Sequence, residues 1–225
     1  MTKITWLGQA GLLFEFDGLT VMVDPYLSDS VKSLNPEGCR RVPVDEAFFD
    51  IKPDVLVFTH DHIDHYDPET VKRFITADSG ITVLSPRSVW EKVRLFGGNN
   101  NYVCFNRRSS WTEKEVIFTA VKAEHSDPYA IGVVMDTGKH RYYVTGDTLY
   151  NEDIFSDLPR DIYALFLPVN GVGNNMNAFD AERFACRVSP QKAVPIHIGL
   201  LDNKTADIFN YENKVVPQIY KEIKL

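Results

Sequence analysis

Cysteine is scarce in this chain, and so is histidine; each scarcity narrows the reading. The three cysteines, Cys39, Cys104 and Cys186, are odd in number, widely spaced and nowhere paired at metal-site spacing. That excludes a disulfide framework and a thiolate zinc site. We expect reduced thiols in a cytoplasmic protein, with Cys104 and Cys186 in the core. No apolar run approaches the length of a membrane span. The opening Met1-Thr2-Lys3-Ile4-Thr5-Trp6 enters a strand pattern at once, without the basic and apolar regions of a signal peptide. Positive charge is also in deficit, with 24 Lys and Arg against 31 Asp and Glu and a net charge of -7. That balance is wrong for nucleic acid or an anionic membrane surface, although Arg40-Arg41 and Arg107-Arg108 could meet a small anion. No Pro/Ser-rich linker, composition break or short repeat divides the 225 residues. One domain over 1–225 is therefore expected, a usual size for a single α/β unit. Hydrophobic residues make up 44%, with 14 Phe and 10 Tyr, which suffices for a substantial core and permits a homo-oligomer.

Histidine is rare but concentrated. Of six in the chain, three fall in the stretch Val55-Leu56-Val57-Phe58-Thr59-His60-Asp61-His62-Ile63-Asp64-His65-Tyr66-Asp67. Its four leading apolar residues read as a strand buried on both faces. In the extended chain leaving a strand, residues two apart point the same way, so His60 and His62 can face one point. Asp64 and His65, after a bend, stand close enough to grip a second ion. Imidazole nitrogen and carboxylate oxygen are the ligands that borderline divalent metals prefer. Solvated surface histidines are the bland alternative, but chance rarely produces His-x-His-x-Asp-His in a chain so poor in histidine. We read a metal site.

Along the chain, strands are expected at 4–7, 12–16 and 19–23, the second and third joined at the turn Asp17-Gly18. Residues 26–41 lose periodicity and read either as solvated linker or as a lid over an anionic substrate, with Arg40 and Arg41 at its end. After the histidine stretch, Asp67-Pro68 reads as an N-cap and first helical residue, opening a helix over 69–77. A strand at 81–84 and a helix over 86–96, stopped by Gly97-Gly98, come next. Strands are expected at 102–105, 115–123, 130–136, 141–145 and 162–169, then a helix over 178–188 and a strand at 193–196. The tail over 205–220 reads as mixed, ending in helix. Strands followed by helix–strand alternation in both halves suggest two mixed sheets packed together with helices outside.

Further candidate ligands stand where strands end, which is where sites on sheet scaffolds are built. They are His125, Asp147 and His197. Singly each is weak, since a lone histidine is usually structural and Gly146-Asp147-Thr148 could be a turn or cap. Beside the first cluster their standing rises, because an ion needs more ligands than His60 and His62 supply. His140, between two strands, reads as a turn residue and is set aside. Asp61, Asp67 and Glu124 read either as partners fixing histidine tautomers or as surface charges and caps. Asn170, Asn175 and Asn177 could bind substrate hydroxyls or phosphate; a Gly/Asn-rich turn is the competing reading.

His60-x-His62-x-Asp64-His65, then His125, Asp147 and His197 in that order, resembles the metallo-β-lactamase superfamily of metal-dependent hydrolases over nearly the whole chain. The resemblance implies an α/β (α+β) fold, a four-layer αββα sandwich of two mixed β-sheets flanked by helices, with the ligand loops along one edge. It implies two divalent ions, zinc or manganese, with iron also open. His60, His62 and His125 would hold one, Asp64, His65 and His197 the other, and Asp147 would bridge them. Thr59-His60-Asp61-His62-x-Asp64-His65-x-Asp67, Trp6-Leu7-Gly8, Val23-Asp24-Pro25-Tyr26-Leu27 and Leu167-Pro168-Val169-Asn170-Gly171 resemble the L-ascorbate-6-phosphate lactonase-like branch. Gln9 and Ile198 depart from it, standing where histidine and an aromatic are usual. The implied activity is hydrolysis by a hydroxide shared between the ions, opening a lactone or related ester of a small substrate, phosphorylated or not. Asp64 and Asp147 would serve the chemistry as well as the metal. A phosphodiesterase acting on a small phosphate diester, or a metal-binding protein without turnover, are the alternatives.

Overall fold

The turn Asp17-Gly18 closes a hairpin because Gly18 takes φ 72° at no steric cost. It joins β2 (Gly11–Phe16) to β3 (Leu19–Val23), and β1 (Lys3–Gly8) pairs with β2, all antiparallel. The structure, a computed structural model, describes residues 2–225. Beyond β3 the sheet continues in parallel through β4 (Val55–Val57), β5 (Thr82–Ser85) and β6 (Asn101–Cys104). The second half repeats this plan. The strands β7 (Ser110–Glu113), β8 (Val116–Lys122), β9 (Ile131–Asp136) and β10 (Arg141–Val144) are antiparallel; β11 (Ile162–Pro168) and β12 (Lys192–Ile196) extend them in parallel. Two mixed six-stranded sheets result, in orders β1-β2-β3-β4-β5-β6 and β12-β11-β10-β9-β8-β7.

The sheets bury their facing sides together. Val55 and Val57 join Phe14, Phe118, Val133, Val144 and Phe166 in one cluster between the sheets. Leu56 points the other way, into a second cluster with Val71 and Phe74 of α1 (Pro68–Phe74) and Val89 and Val93 of α2 (Arg87–Val93). Covered on both faces, β4 has no use for alternation, which is why it reads as a continuous apolar run. On the far side α3 (Ala178–Val188) lays Ala181, Phe184 and Ala185, spaced for one helical face, on the outer face of the second sheet, where Phe184 lies beside Tyr143. The αββα layering expected from the sequence is the observed one.

Several local expectations need correction. The helix after the histidine stretch ends at Phe74, since Ile75 is extended, and Asp67 caps it by accepting from Glu69 N and Thr70 N. The strand β7 is absent from the expected elements; its half-polar sequence Ser110-Trp111-Thr112-Glu113 suits an exposed edge. The tail does not end in helix. Beyond a 3-10 turn at Ala206–Ile208 it runs as a strap, with Val215 N donating to Ala193 O and Ile223 N to Ile4 O. It thereby covers the open edges of β12 and β1, and β-branched Val215 and Val216 before Pro217 disfavour helix. Cys104 is half-buried at the end of an edge strand, and Cys186 is exposed on the outer face of α3; neither is core. No helix among the described residues is long and apolar enough to cross a membrane.

Candidate metal centre

The chain leaves β4 at Val57 and is captured immediately by Asp24, which follows β3. Thr59 donates to Asp24 Oδ1 from its backbone N at 2.8 Å and to Oδ2 from its hydroxyl at 2.5 Å. A tight turn, in which His65 N and Tyr66 N both donate to His62 O, then swings His65 back under the stretch. There His65 Nδ1 lies 2.8 Å from Asp24 Oδ2, and Asp24 and His65 are both fully buried. His125 arrives on the loop after β8, which Asp127 fastens. That carboxylate accepts from Ser88 Oγ at 2.5 Å, Asp61 N at 3.3 Å and Tyr129 N at 2.8 Å. Asp147 follows β10 through Gly146, whose φ is 61° and whose missing Cβ would stand 2.8 Å from Ile131 O and from Thr59 Cβ. His197 follows β12 and itself takes φ 61°, as Gln9 and Asp24 take 49° and 44°. Three non-glycine residues in the left-handed region within one site are a concentration of strain that the surrounding hydrogen bonds must hold.

These segments gather into three overlapping triads: His60, His62 and His125; His60, His65 and Asp147; and Asp64, His65 and His197, with ligand atoms in each within 4.8 Å of one another. The tautomers follow from the neighbours. The Thr59 hydroxyl spends its proton on Asp24, so His60 Nδ1, 3.0 Å away, is the donor to that oxygen. His60 Nε2 is therefore bare, and it is buried without a hydrogen-bond partner. By the same logic His125 Nδ1 donates to Asn174 O at 3.2 Å, leaving Nε2 to face His62 Nδ1 at 3.2 Å. His65 Nδ1 donates to Asp24, so its Nε2 faces Asp147 Oδ1 and His197 Nε2, each at 3.2 Å.

A tetrahedral ion with metal–nitrogen bonds of about 2.0–2.1 Å has ligand–ligand edges of about 3.3 Å. The spacings of 3.2 Å between His62 and His125, His65 and His197, and His197 and Asp64 match such edges. Asp147 Oδ1, like His60 Nε2, is a buried atom without a hydrogen-bond partner. Buried lone pairs aimed at one another are costly unless a cation lies between them. The donor set thus fits divalent ions.

The electrostatics agree. Burial, reinforced by the neighbouring His65 charge, holds His60 well below the usual histidine range, keeping it neutral as a ligand must be. Burial likewise lowers His125. For His65 burial opposes the charged form, but Asp147, Asp64 and Asp24 outweigh it and hold the ring well above its ordinary value. His197, also against burial, is pushed up to about 10 by Asp147 and Asp64. Those imidazoles in turn overcome burial to hold Asp64 and Asp147 low. Without metal, two protons on the histidines take over the role of positive charge among the carboxylates.

The remaining candidates take other places. Asn175 Nδ2 donates to Asp147 Oδ2 at 2.8 Å, and the Asn170 amide lies 3.0 Å from His197 Nδ1. Both are buried behind ligand residues, where they position them, instead of lining an open cleft. Asn177 accepts from Asp180 N and caps α3. Arg40 spends its guanidinium on Tyr26 O at 2.8 Å, Val42 O at 3.2 Å and Tyr220 Oη at 2.5 Å, so it clamps the 26–41 segment to the fold. Arg41 is exposed and is tied by its backbone to Leu200 O. Asp61 pairs with Lys92 at 2.7 Å and Glu124 accepts from Asn151 at 2.7 Å, so neither touches a ligand histidine. Asp24 and Gln9, which do touch candidate ligand histidines, are not among the residues singled out from the sequence for that role. Gln9 Nε2 donates to Asp64 Oδ2 at 2.8 Å. A cavity of about 600 Å³ adjoins His125, lined by Asn106, Arg107, Lys122, Glu124 and Tyr129 among others. That is a size usual for small-molecule sites.

Two facing mixed sheets, helices outside, and His/Asp loops converging along one edge define a metallo-β-lactamase fold with a candidate metal centre. Residues 20–198 match the model of the β-lactamase superfamily domain, and the chain belongs to that family. It is 27% identical to a UPF0173 metal-dependent hydrolase of Saccharolobus solfataricus, over 100% of this chain and 96% of that relative. It is 29% identical to one of Carboxydothermus hydrogenoformans, over 94% and 91% respectively. Among solved structures it is similar to Igni18, a metallo hydrolase of Ignicoccus hospitalis, with a TM-score of 0.75, 18% identity and coverage of 98% and 97%.

Proposed function

We propose that the protein is a dinuclear metal-dependent hydrolase that opens a lactone or related ester of a small substrate, with or without a phosphate group. One observation carries the reading. Two triads, His60-His62-His125 and Asp64-His65-His197, flank Asp147, which itself groups with His60 of the first and His65 of the second. The first triad would hold one ion and the second the other, with Asp147 shared. Divalent cations held there would polarise a substrate oxygen and lower the pKa of a bound water from 15.7 toward about 7. The family and the UPF0173 relatives, named metal-dependent hydrolases, support hydrolysis. The lactone class rests on the likeness of the Thr59–Asp67, Trp6–Gly8 and Val23–Leu27 segments to the lactonase-like branch.

The chain's own residues do the rest. Asp24 fixes the His65 tautomer, Asn175 orients Asp147, and Asp127 ties the His125 loop to the His60–His65 stretch. Asp64 lies on the rim of the second triad and is partly exposed; with Oδ2 directed at His197, its other oxygen, Oδ1, would take the proton released from water and pass it to the leaving alkoxide. In a lactone that alkoxide stays tethered to the product. Zinc, manganese and iron all suit the donor set.

The test is protein reloaded with manganese or zinc and offered lactones, phosphodiesters and thioesters. Lactone turnover that disappears in Asp147→Ala is the expected result. Turnover of bis-nitrophenyl phosphate with inert lactones would overturn the ester reading. A fully metallated sample inert to the whole panel would point to metal binding without turnover.

A further inference from the structure

We propose that Gln9 is an eighth donor of the metal centre, its amide oxygen turning onto the second ion. The inference rests on the two-ion reading above. Gln9 sits in the turn between β1 and β2, at φ 49°, with its side chain buried. Its position is fixed from behind, because its carbonyl accepts from Trp6 Nε1 at 3.0 Å and from His197 N at 2.9 Å. The backbone that places Gln9 therefore also places a ligand histidine. The amide head lies among the ligand atoms of the second triad: Nε2 is 2.8 Å from Asp64 Oδ2, 3.1 Å from His197 Nε2 and 3.2 Å from His197 Nδ1.

In the structure the amide nitrogen faces the site, since Asp64 is an acceptor. A cation among Asp64, His65 and His197 reverses the preference. An N–H directed at a cation is repelled, whereas the amide oxygen is a good ligand for a divalent ion. The two ends of the amide have the same shape, so a half-turn of the head exchanges them without moving the chain. The second ion would then see oxygens from Asp64, Asp147 and Gln9 with two imidazoles, whereas the first sees three imidazoles and Asp147. Oxygen-rich surroundings suit harder cations such as manganese or iron(II), and imidazole-rich ones suit zinc.

The whole chain, stripped and titrated with manganese under electron paramagnetic resonance and calorimetry, tests this without any substrate. Gln9→Leu should weaken the second equivalent by about tenfold or more, within the range for residues supporting a metal site, and leave the first unchanged. Gln9→Glu separates ligation from mere support of Asp64. A ligand role predicts a second equivalent at least as tight as in the unaltered protein. A donor role predicts weakening, because two carboxylates would face each other. Weakening in Gln9→Glu, or a second-equivalent affinity in Gln9→Leu within about twofold of the unaltered protein, overturns the proposal. Should Gln9→Leu fail to fold, Gln9→Glu alone decides. An unaltered protein that takes up only one ion refutes the two-ion reading itself, a result distinct from either variant's behaviour.

Discussion

Replacing Asp24 by asparagine would change almost no volume, yet it should disable half of the metal centre. Asp24 is fully buried and accepts three hydrogen bonds, from Thr59 N, the Thr59 hydroxyl and His65 Nδ1. In Asp24→Asn the new amide oxygen can keep the bond from Thr59 N. The amide NH2 must then stand where Oδ2 stood, 2.8 Å from His65 Nδ1, donor against donor. The imidazole escapes by moving its proton to Nε2, which removes the lone pair aimed at Asp147 and His197. Loss of such a partner costs about 10–100-fold in metal affinity, or about 1.4–2.7 kcal/mol. In the stripped protein a charge-assisted bond is lost as well, about 1.5–3 kcal/mol. Competition of zinc or manganese against a chromophoric chelator, with melting of the chelator-treated protein, measures both. We expect the second equivalent to weaken and the first to be nearly unchanged. A full two-ion complement in Asp24→Asn, at unaltered affinity, would refute the tautomer argument.

The stripped protein should also respond to pH in a definite direction. His197 (about 10) and His65 are both raised by folding, so their protonated forms stabilise fully below the unfolded value of about 6.5. That contribution is lost as pH climbs through the folded values. Asp64 and Asp147 are lowered, so theirs is present above about 4 and lost as pH falls through the folded values. Stripped protein should therefore melt lower at pH ~9.5 than at pH ~7, by a larger margin than metal-loaded protein, whose ligands have already released their protons; equal margins would sink this account. Gly146→Ala should cost about 1–3 kcal/mol through its positive φ and the contacts at 2.8 Å, lowering the melting temperature; an unshifted melt contradicts it. Arg40→Ala should likewise lower stability, by about 1–3 kcal/mol for its lost backbone bonds, while leaving KM for any anionic substrate unchanged. A raised KM with an unaltered melt would return Arg40 to the substrate.

The centre is legible in the sequence in proportion to how local each part is. His60, His62, Asp64 and His65 are readable because four candidate ligands lie within six consecutive positions after an apolar strand. His125, Asp147 and His197 are single residues at strand ends and gain meaning only beside that cluster. Gln9 and Asp24 give no signal of their own, because what matters is which atoms they meet after two sheets have docked. Asp24 stands in the run Val23-Asp24-Pro25-Tyr26-Leu27, but its carboxylate's hold on Thr59 and His65 is a tertiary fact. The asparagines after β11 mislead for the opposite reason. Polar residues on a loop look available to solvent, yet Asn170 and Asn175 are buried against His197 and Asp147. The layered fold is readable from periodicity, since Val55–Phe58 and its neighbours are apolar throughout. The polar edge strand β7 and the C-terminal strap are not, because edges are defined by their partners.

The two sheets share no strand, and in the interior their apolar faces hold them together. At the edge, however, each proposed ion would take ligands from both. The first joins His60 and His62 of the first sheet to His125 of the second, and the other joins Asp64 and His65 to His197. In the loaded protein the metals would act as rivets through the two halves. The sandwich could open at that end only after a ligand lets go, so the lifetime of the folded protein would be set by the rate at which it surrenders its ions.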